Sequence, residues 1–558
     1  MSLTKIIATI GPSIEDYESL KSLALSGMNC IRINTAHASE ESIEKIVKMR
    51  NSLEIDTGKI ISIMVDLKGE ELRILTKDGD IEIKAGKDYK ISDRTFHAWE
   101  IAINLEKSIG VIEPGDSLIA MDGRVKFHVN RVEKGVLSAT ATTSGTLKNM
   151  GRLNIPGRYV PLASVTERDR QFLQLAIKHQ IEFCAMSFVQ SASQINDLHD
   201  LIMEMNGNLK IIAKIETKKA LDNIRDIVAV SDVIMVARGD LGVEVPLSEV
   251  SMSQKEIISA AHRNGVPTIV ATQILESMVN SETPTRAEVS DITNAILDNA
   301  DALMLSEETA VGKYPAEAVK TLSGIAEYVE RKVKHFPGPD EYFGNRVTFS
   351  ISKATRVISD EVSSDAIIVI TRTGNTARMV SAVRPSMIII AAVRQRLIAG
   401  FTTLLRGVIP VIINSDSPDS ITIHQIIEQI RQKGLICAGN RIVVTSGIPE
   451  MIFGGTTEVK VMTVGNVAGR GFGSGLNLKG KLTIDPDYSG EIILIKGKID
   501  INLMKGKKGI ITEGQLKRDE AEKLKAQNIT TLSGTVLFRE LANNDIISVD
   551  IETGVIYL

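Results

Sequence analysis

The chain has 558 residues, 43% of them hydrophobic and 24% charged, with a formal net charge of -4. That is ordinary globular composition in a chain too long for one core, so roughly three or four domains are expected. The charge balance gives no basic field for nucleic acid or anionic lipid, and no apolar run reaches the ~20 residues of a membrane span, so neither partner is expected. A strand pattern begins almost at once, leaving no room for a signal peptide. Cys30, Cys184 and Cys437 lie far apart in apolar runs, which suits buried thiols in a reducing, cytoplasmic compartment better than disulfides or a zinc site.

In chain order, short apolar runs end at Thr9 to Gly11 (KIIATIG), Arg32/Asn34 (CIRIN), Asp66/Lys68 (ISIMVDLK), Ser187 (FCAMS), Lys214/Glu216 (IIAKIE), Arg238/Asp240 (VIMVARGD), Thr272/Gln273 (TIVATQ) and Ser306/Glu308 (ALMLSEE). Helical patterns such as SIEDYESLKSLALSG and ERDRQFLQLAIKH separate most of them. This is the alternation of a parallel sheet buried on both faces, and eight units predict a closed (β/α)8 barrel over residues 1–69 and 159–335. Residues 70–158 break that rhythm with apolar–polar alternation and Gly-rich turns, as in GDSLIAMDGRVKFHVNRV, and predict a β-domain inserted as a lid. After the linker FPGPDEYFG, residues 344–465 resume the alternation with SDAIIVITRTGN, SMIIIAAV, GVIPVII and RIVVTSGI, a third, doubly wound α/β domain. The glycine-rich GNVAGRGFGSG near 465 to 475 reads as a turn, too poor a match to GxGxxG for a dinucleotide site, and 476–558 reads as a further domain of short strands.

Side chains two apart on a strand share a face, so Lys214 with Glu216, and Arg238 with Asp240, each set a cation beside a carboxylate at a strand tip. In a barrel, catalytic groups gather at those carboxyl ends. A metal, a phosphate and a carboxylate could be held there together.

The stretches TKIIATIGP, GMNCIRINTAH, VDLKGEELR, VTERD, MSFVQSA, KIET, VARGDLGVE, ATQILESM, PTRAEVSD and SEETAVGKYP resemble the pyruvate kinase family across residues 1–465. The resemblance implies magnesium-dependent transfer of phosphate from phosphoenolpyruvate to ADP, giving pyruvate and ATP, with Mn²⁺ an alternative ion. Phosphoryl transfer needs cations around a loose, negatively charged transition state and little covalent help. Lys214 and Arg32 match the residues that meet the transferring group, and Glu216 and Asp240 match the hard-oxygen ligands of Mg²⁺. Ala237, Arg238, Gly239 and Asp240 match the segment whose amides take the substrate carboxylate, Thr272 the threonine beside the enolate's methylene carbon, and Ser306 and Glu308 a polar path for the proton. Asn34, His37, Lys68 and Arg73 fall with the nucleotide contacts, His37 by hydrogen bonding rather than as a metal ligand. Asp122 in MDG matches an aspartate of the lid. A homotetramer is implied by the resemblance alone.

The chain departs from the family in several places. Of the monovalent-cation ligands Asn34 and Asp66 remain, but Ala36 replaces a serine and Leu67 a threonine, leaving only a backbone carbonyl at Leu67 and predicting weak or absent potassium activation. Glu71 nevertheless keeps the residue type of potassium-dependent members. LKNMGRLNIPG lacks the family's paired lysines, so Lys148 and Arg152 must do their nucleotide work, and Glu307 replaces a glycine. Thr371, Thr373, Gly374, Asn375 and Thr376 of TRTGNTAR match a loop that binds a phosphorylated effector in some relatives; an ordinary helix cap is the alternative. The tail resembles the swivelling phosphohistidine domain of phosphoenolpyruvate-utilising enzymes through GRGFGSG, GIITEG and NNDIISVDIETGVIY. The last histidine is His424, however, so the tail cannot carry phosphohistidine. A metal-dependent barrel carbon–carbon lyase working through a pyruvate enolate is the alternative activity, and a barrel kept only as a ligand sensor is disfavoured because both metal carboxylates are present.

Overall fold

The computed structural model describes all residues except 1, 93–99, 105, 134, 161, 334, 415–421, 447–457, 466, 485–490 and 497–498. Asn466 of the glycine-rich stretch, and the last two residues of RIVVTSGI, lie outside the described residues. By its contacts the chain divides into one unit of residues 1–353, 371–386 and 393–412 and a second of 354–370, 387–392 and 413–558.

In the first unit eight parallel strands close a barrel: Lys5–Thr9, Cys30–Asn34, Ser62–Leu67, Phe183–Met186, Lys210–Ile215, Val233–Ala237, Thr268–Ala271 and Ala302–Leu305. Each pairs with the next in sequence, and the last pairs with the first, Lys5 opposite Ala302. The apolar runs carry no alternation because both faces are buried. Ile7, Met64, Phe183, Ile212, Met235 and Met304 fill the barrel, while Ile6, Ile31, Ile63, Ile211 and Ile234 pack outward beneath the helices. Local signals set the connecting helices. Asp16 caps Tyr17–Ser26 and Gly27, at φ +130°, stops it; Thr166 with Asp169, and Thr285 with Glu288, form capping boxes.

The amino ends of the strands are fastened by buried polar contacts. Glu182, fully buried before the fourth strand, accepts from Ile63 N at 2.7 Å and Arg50 Nη1 at 3.2 Å and also pairs with Arg396. Asp301, before the eighth, takes both Nη atoms of Arg384 at 2.6 and 3.0 Å.

Between the third and fourth strands the chain builds a second closed barrel of seven strands, Arg73–Thr76, Asp88–Ser92, Ile101–Ile103, Ser117–Ala120, Val125–Glu133, Val136–Ala141 and Gly151–Asn154. Here one face is solvated, and Val125, Phe127 and Val129 alternate inward with polar neighbours outward.

In the second unit Ala366–Ile370 and Arg441–Ser446 run parallel, as do Ala366–Ile370 and residues 388–392, and Glu458–Thr463 joins antiparallel at the edge. Seven strands from Val467 to Tyr557 close a further barrel around Leu482, Leu494, Ile511, Leu532 and Ile547, with a helix at Arg518–Ala526. The glycine-rich stretch, expected as a turn, is one of these strands, Val467–Ser474. Its glycines are there because partners crowd the backbone: a Cβ at Gly469 would lie 2.9 Å from Leu537 Cδ2, and one at Gly473 2.6 Å from the Ile551 carbonyl. Cys30 and Cys184 are buried as expected, but Cys437 is exposed, in the turn that Asn440 Oδ1 holds through the Cys437 amide. Among the described residues no helix is long and apolar enough to cross a membrane.

Gly439 sits at φ +79°, and a Cβ there would overlap the Ser548 hydroxyl of the tail barrel. Gly439→Ala should therefore destabilise the second unit by about 2 to 4 kcal/mol, seen as an earlier urea-unfolding transition. An unchanged midpoint would contradict the close approach.

Candidate active site

The carboxyl ends of the barrel strands bring Arg32, Asp66, Lys214 and Glu216 into one buried cluster. Lys214 Nζ lies 2.9 Å from Glu216 Oε1 and 3.3 Å from Asp66 Oδ1, and donates to Ser187 Oγ at 2.8 Å. Arg32 reaches the other Asp66 oxygen through Nε at 2.8 Å and Nη2 at 2.7 Å, and donates from Nη1 to Thr9 Oγ1. Glu216 is 1% exposed, and its second oxygen accepts the Phe188 amide at 2.7 Å. Phe188 can present that amide because it takes a left-handed turn, φ +56°, immediately after the fourth strand.

The charges follow from this packing. Burial pushes the Glu216 carboxyl up, Asp240 adds to the push, and Lys214 and Arg152 oppose it. Burial would raise Asp66 too, but Lys214 and Arg32 together hold it below the usual aspartate value. Burial would lower Lys214, yet Asp66 and Glu216 raise it above the ordinary lysine value, so its positive charge is permanent.

The expected side-by-side pairing of Arg238 with Asp240 does not form. The chain leaves the sixth strand at Ala237 and Arg238–Glu244 is helical, so the two-residue period no longer applies. Arg238 turns inward to Asp291 Oδ2 at 2.6 Å and the carbonyls of Thr272 and Gln273. Asp240 instead pairs with Arg152, which comes from the lid. Thr272, left-handed at φ +68°, accepts the Gly239 amide at 2.8 Å and donates to its neighbour's carbonyl, so it caps a neighbouring element rather than the helix after it. Ser306 begins a short helix without a side-chain cap, and Glu308, 3% exposed, accepts the amides of Ser306 and Leu275.

The remaining predicted residues are held by contacts of their own. Asn34 Oδ1 accepts the Ala36 amide, and the Leu67 carbonyl accepts from Ser187 Oγ at 2.9 Å. His37 and Lys68 are exposed. Arg73 is drawn to Glu71 and to the Met150 carbonyl, and Asp122 is exposed in a left-handed lid turn beside Met121, whose amide donates to the Arg152 carbonyl. Thr371 and Thr373 turn their hydroxyls onto the amides of Gly374 and Asn375, and Asn375 Oδ1 accepts from Arg378. Thr376 is buried in the helix that follows.

Sequence reasoning missed Ser187 as a partner of Lys214 and Phe188 as the amide that orients Glu216. Ser187 was legible as a strand end; the left-handed turn at Phe188 carries no residue-type signal. Glu216 and Asp240 are the two carboxylates that could hold a divalent ion, and no cluster of three or more metal-binding side chains occurs among the described residues. A hard cation that fills its other positions with water and substrate oxygens fits that pair.

Lys214→Met removes the ammonium and leaves Asp66 and Glu216 buried with less compensation, a loss of about 3 kcal/mol. Both folded-state pKa values then rise. A carboxyl with a raised pKa stabilises the fold only while protonated, so stability falls as pH climbs above its unfolded value. The deficit against the parent should be larger at about pH 8 than at about pH 5 in thermal unfolding, and a deficit independent of pH would contradict the charge balance.

The family model for the pyruvate kinase barrel domain matches residues 1–319, and that for the pyruvate kinase alpha/beta domain matches 350–462. A pyruvate kinase of Thermoplasma acidophilum is 41% identical over 557 residues, covering 100% of this chain and 98% of the relative. One from Thermotoga maritima is 36% identical over 469 residues, 83% of this chain and 100% of the relative. The crystal structure of a pyruvate kinase from Cryptosporidium parvum superposes with a TM-score of 0.77 at 31% identity, covering 83% of this chain and 96% of that one. These matches do not support the carbon–carbon lyase alternative. They run from the first residue through the α/β segment and, in the Thermoplasma relative, across the tail as well: the chain belongs to the pyruvate kinase family, whose members are phosphotransferases.

Proposed function

We propose that this chain transfers the phosphoryl group of phosphoenolpyruvate to ADP, giving pyruvate and ATP. The observation that carries the reading is the buried Lys214 ammonium held between Asp66 and Glu216 with Arg32 on the far side of Asp66. Two fixed cations on rigid strand ends suit a transition state whose charge is spread over phosphoryl oxygens, and they need no reorganisation when that charge develops. Glu216 and Asp240 would hold Mg²⁺ or Mn²⁺, which supplies further positive charge to those oxygens. The enol oxygen–phosphorus bond breaks as the ADP β-phosphate oxygen forms its own, and the enolate left behind takes a proton at its methylene carbon. Thr272 orients the Gly239 amide, which suits a role in seating the substrate carboxylate. Glu308, with both oxygens on backbone amides, is suited to shaping the Ser306 turn rather than to carrying the proton itself.

Arg73, Lys68, Asn34, His37 and Asp122 form the nucleotide side of the same reading, with Arg152 in place of the absent lysine pair. Potassium fits poorly. Asp66 already faces Lys214 and Arg32, the Leu67 carbonyl accepts from Ser187, Asn34 Oδ1 accepts an amide, and Ala36 offers no side-chain oxygen. A phosphorylated effector at Thr371 to Thr376 would have to displace the threonine hydroxyls from the loop amides. A homotetramer in the cytoplasm completes the proposal by family likeness, and the tail is given a packing or regulatory role.

A lactate-dehydrogenase-coupled assay with phosphoenolpyruvate, ADP and Mg²⁺ should show turnover. It should fall by about 10²- to 10⁴-fold in Lys214→Met, and potassium should raise the parental rate less than about twofold. No pyruvate from the parental protein would refute the activity, and a steep potassium requirement at saturating Mg²⁺ would refute the cation reading.

A further inference from the structure

We propose that Arg152 latches the lid to the barrel through Asp240, and that this latch and a divalent ion exclude one another at that carboxylate, so that ion binding releases the lid strand. The inference rests on the reading of Glu216 and Asp240 as the divalent pair.

The lid strand Gly151–Asn154 turns Leu153 into the lid core and leaves Arg152 and Asn154 on the opposite face. Two residues along a strand advance about 6.6 Å, and four along a helix about 6 Å. Arg152 and Asn154 therefore match the spacing of Asp240 and Glu244 on the helix Arg238–Glu244. Both rungs form: Arg152 Nη1 pairs with Asp240 Oδ1, and Asn154 Nδ2 donates to Glu244 Oε1 at 2.7 Å. The guanidinium also stacks over the Phe188 ring, 4.6 Å from its centroid, and its Nε lies 3.9 Å from Glu71 Oε1. Gly151 lets this strand pack closely within the lid itself, since a Cβ there would crowd Met121 Sδ and the Lys148 carbonyl.

Arg152, Arg32 and Lys214 face Asp66, Glu216 and Asp240, and Glu71 with its partner Arg73 brings the set to four cations against four carboxylates. A divalent ion held by Asp240 would meet the Arg152 charge a few ångströms away in a partly buried site, where like charges repel strongly. Arg152 must then swing off Asp240, and phosphate oxygens arriving with the substrates are the natural partner for its planar fork. The lid would thus be tied down without the ion and freed, with a cation for the nucleotide, when the ion binds.

Mn²⁺ binding to the full chain without substrates, followed by electron paramagnetic resonance of the free ion, tests this. Arg152→Gln should bind Mn²⁺ about tenfold more tightly than the parent, and Arg152→Lys, which keeps the charge, should stay near the parental value. Amide hydrogen exchange over 148–154 should quicken in the parent on adding Mn²⁺ and should already be fast in Arg152→Gln. Unchanged or weaker Mn²⁺ affinity in Arg152→Gln, or exchange in the parent indifferent to Mn²⁺, overturns the latch. Parental Mn²⁺ binding that survives Glu216→Gln overturns the metal-pair reading, and the latch with it.

Discussion

The Lys214 ammonium, buried between Asp66 and Glu216, is the interaction on which the rest of the site depends. Taking charges out of water costs several kcal/mol for each ion, and their mutual attraction offsets that cost only when geometry is good and the remaining oxygens are bonded. Here they are. Arg32 occupies one Asp66 oxygen, the Phe188 amide one Glu216 oxygen, and Ser187 the lysine itself. A cluster so tied keeps its charges in place before any substrate arrives, the condition under which fixed charges lower a barrier.

The barrel supplies the rigidity. Its strands are apolar on both faces, so each strand tip is set by a core and not by a loop. The two ends of the barrel differ: Glu182 and Asp301 at the amino ends are consumed by arginines and backbone amides, while the carboxyl ends gather Arg32, Asp66, Lys214 and Glu216 into one cluster. The lid adds Arg152 and Asn154 from one strand face, reaching the helix that carries Asp240 and Glu244.

Much of this was readable in the residues, for physical reasons. Eight apolar runs with polar ends announce buried parallel strands, and Lys214 with Glu216 share a face because Lys210–Ile215 is a true strand up to its last residue. The same period failed at Arg238 and Asp240, where the chain becomes helical at once. The tail strand Val467–Ser474 was hidden because glycine has no side chain to alternate; its need arises only when Leu537 and Ile551 come close. Cys437 misled because a short apolar run need not be a core element. The engagement of Arg152 with Asp240, 88 positions apart, has no local signature at all.

The central proposal is that Glu216 and Asp240 hold one divalent ion at the barrel mouth, with Lys214 and Arg32 placed for the substrate phosphate. Anomalous diffraction from crystals of the full chain grown with Mn²⁺ and phosphoenolpyruvate measures this directly. A single strong peak bridged by the Glu216 and Asp240 carboxylates, with the substrate phosphate against Lys214 and Arg32, is the predicted result. A well-ordered substrate with its Mn²⁺ bound away from those carboxylates would contradict the account.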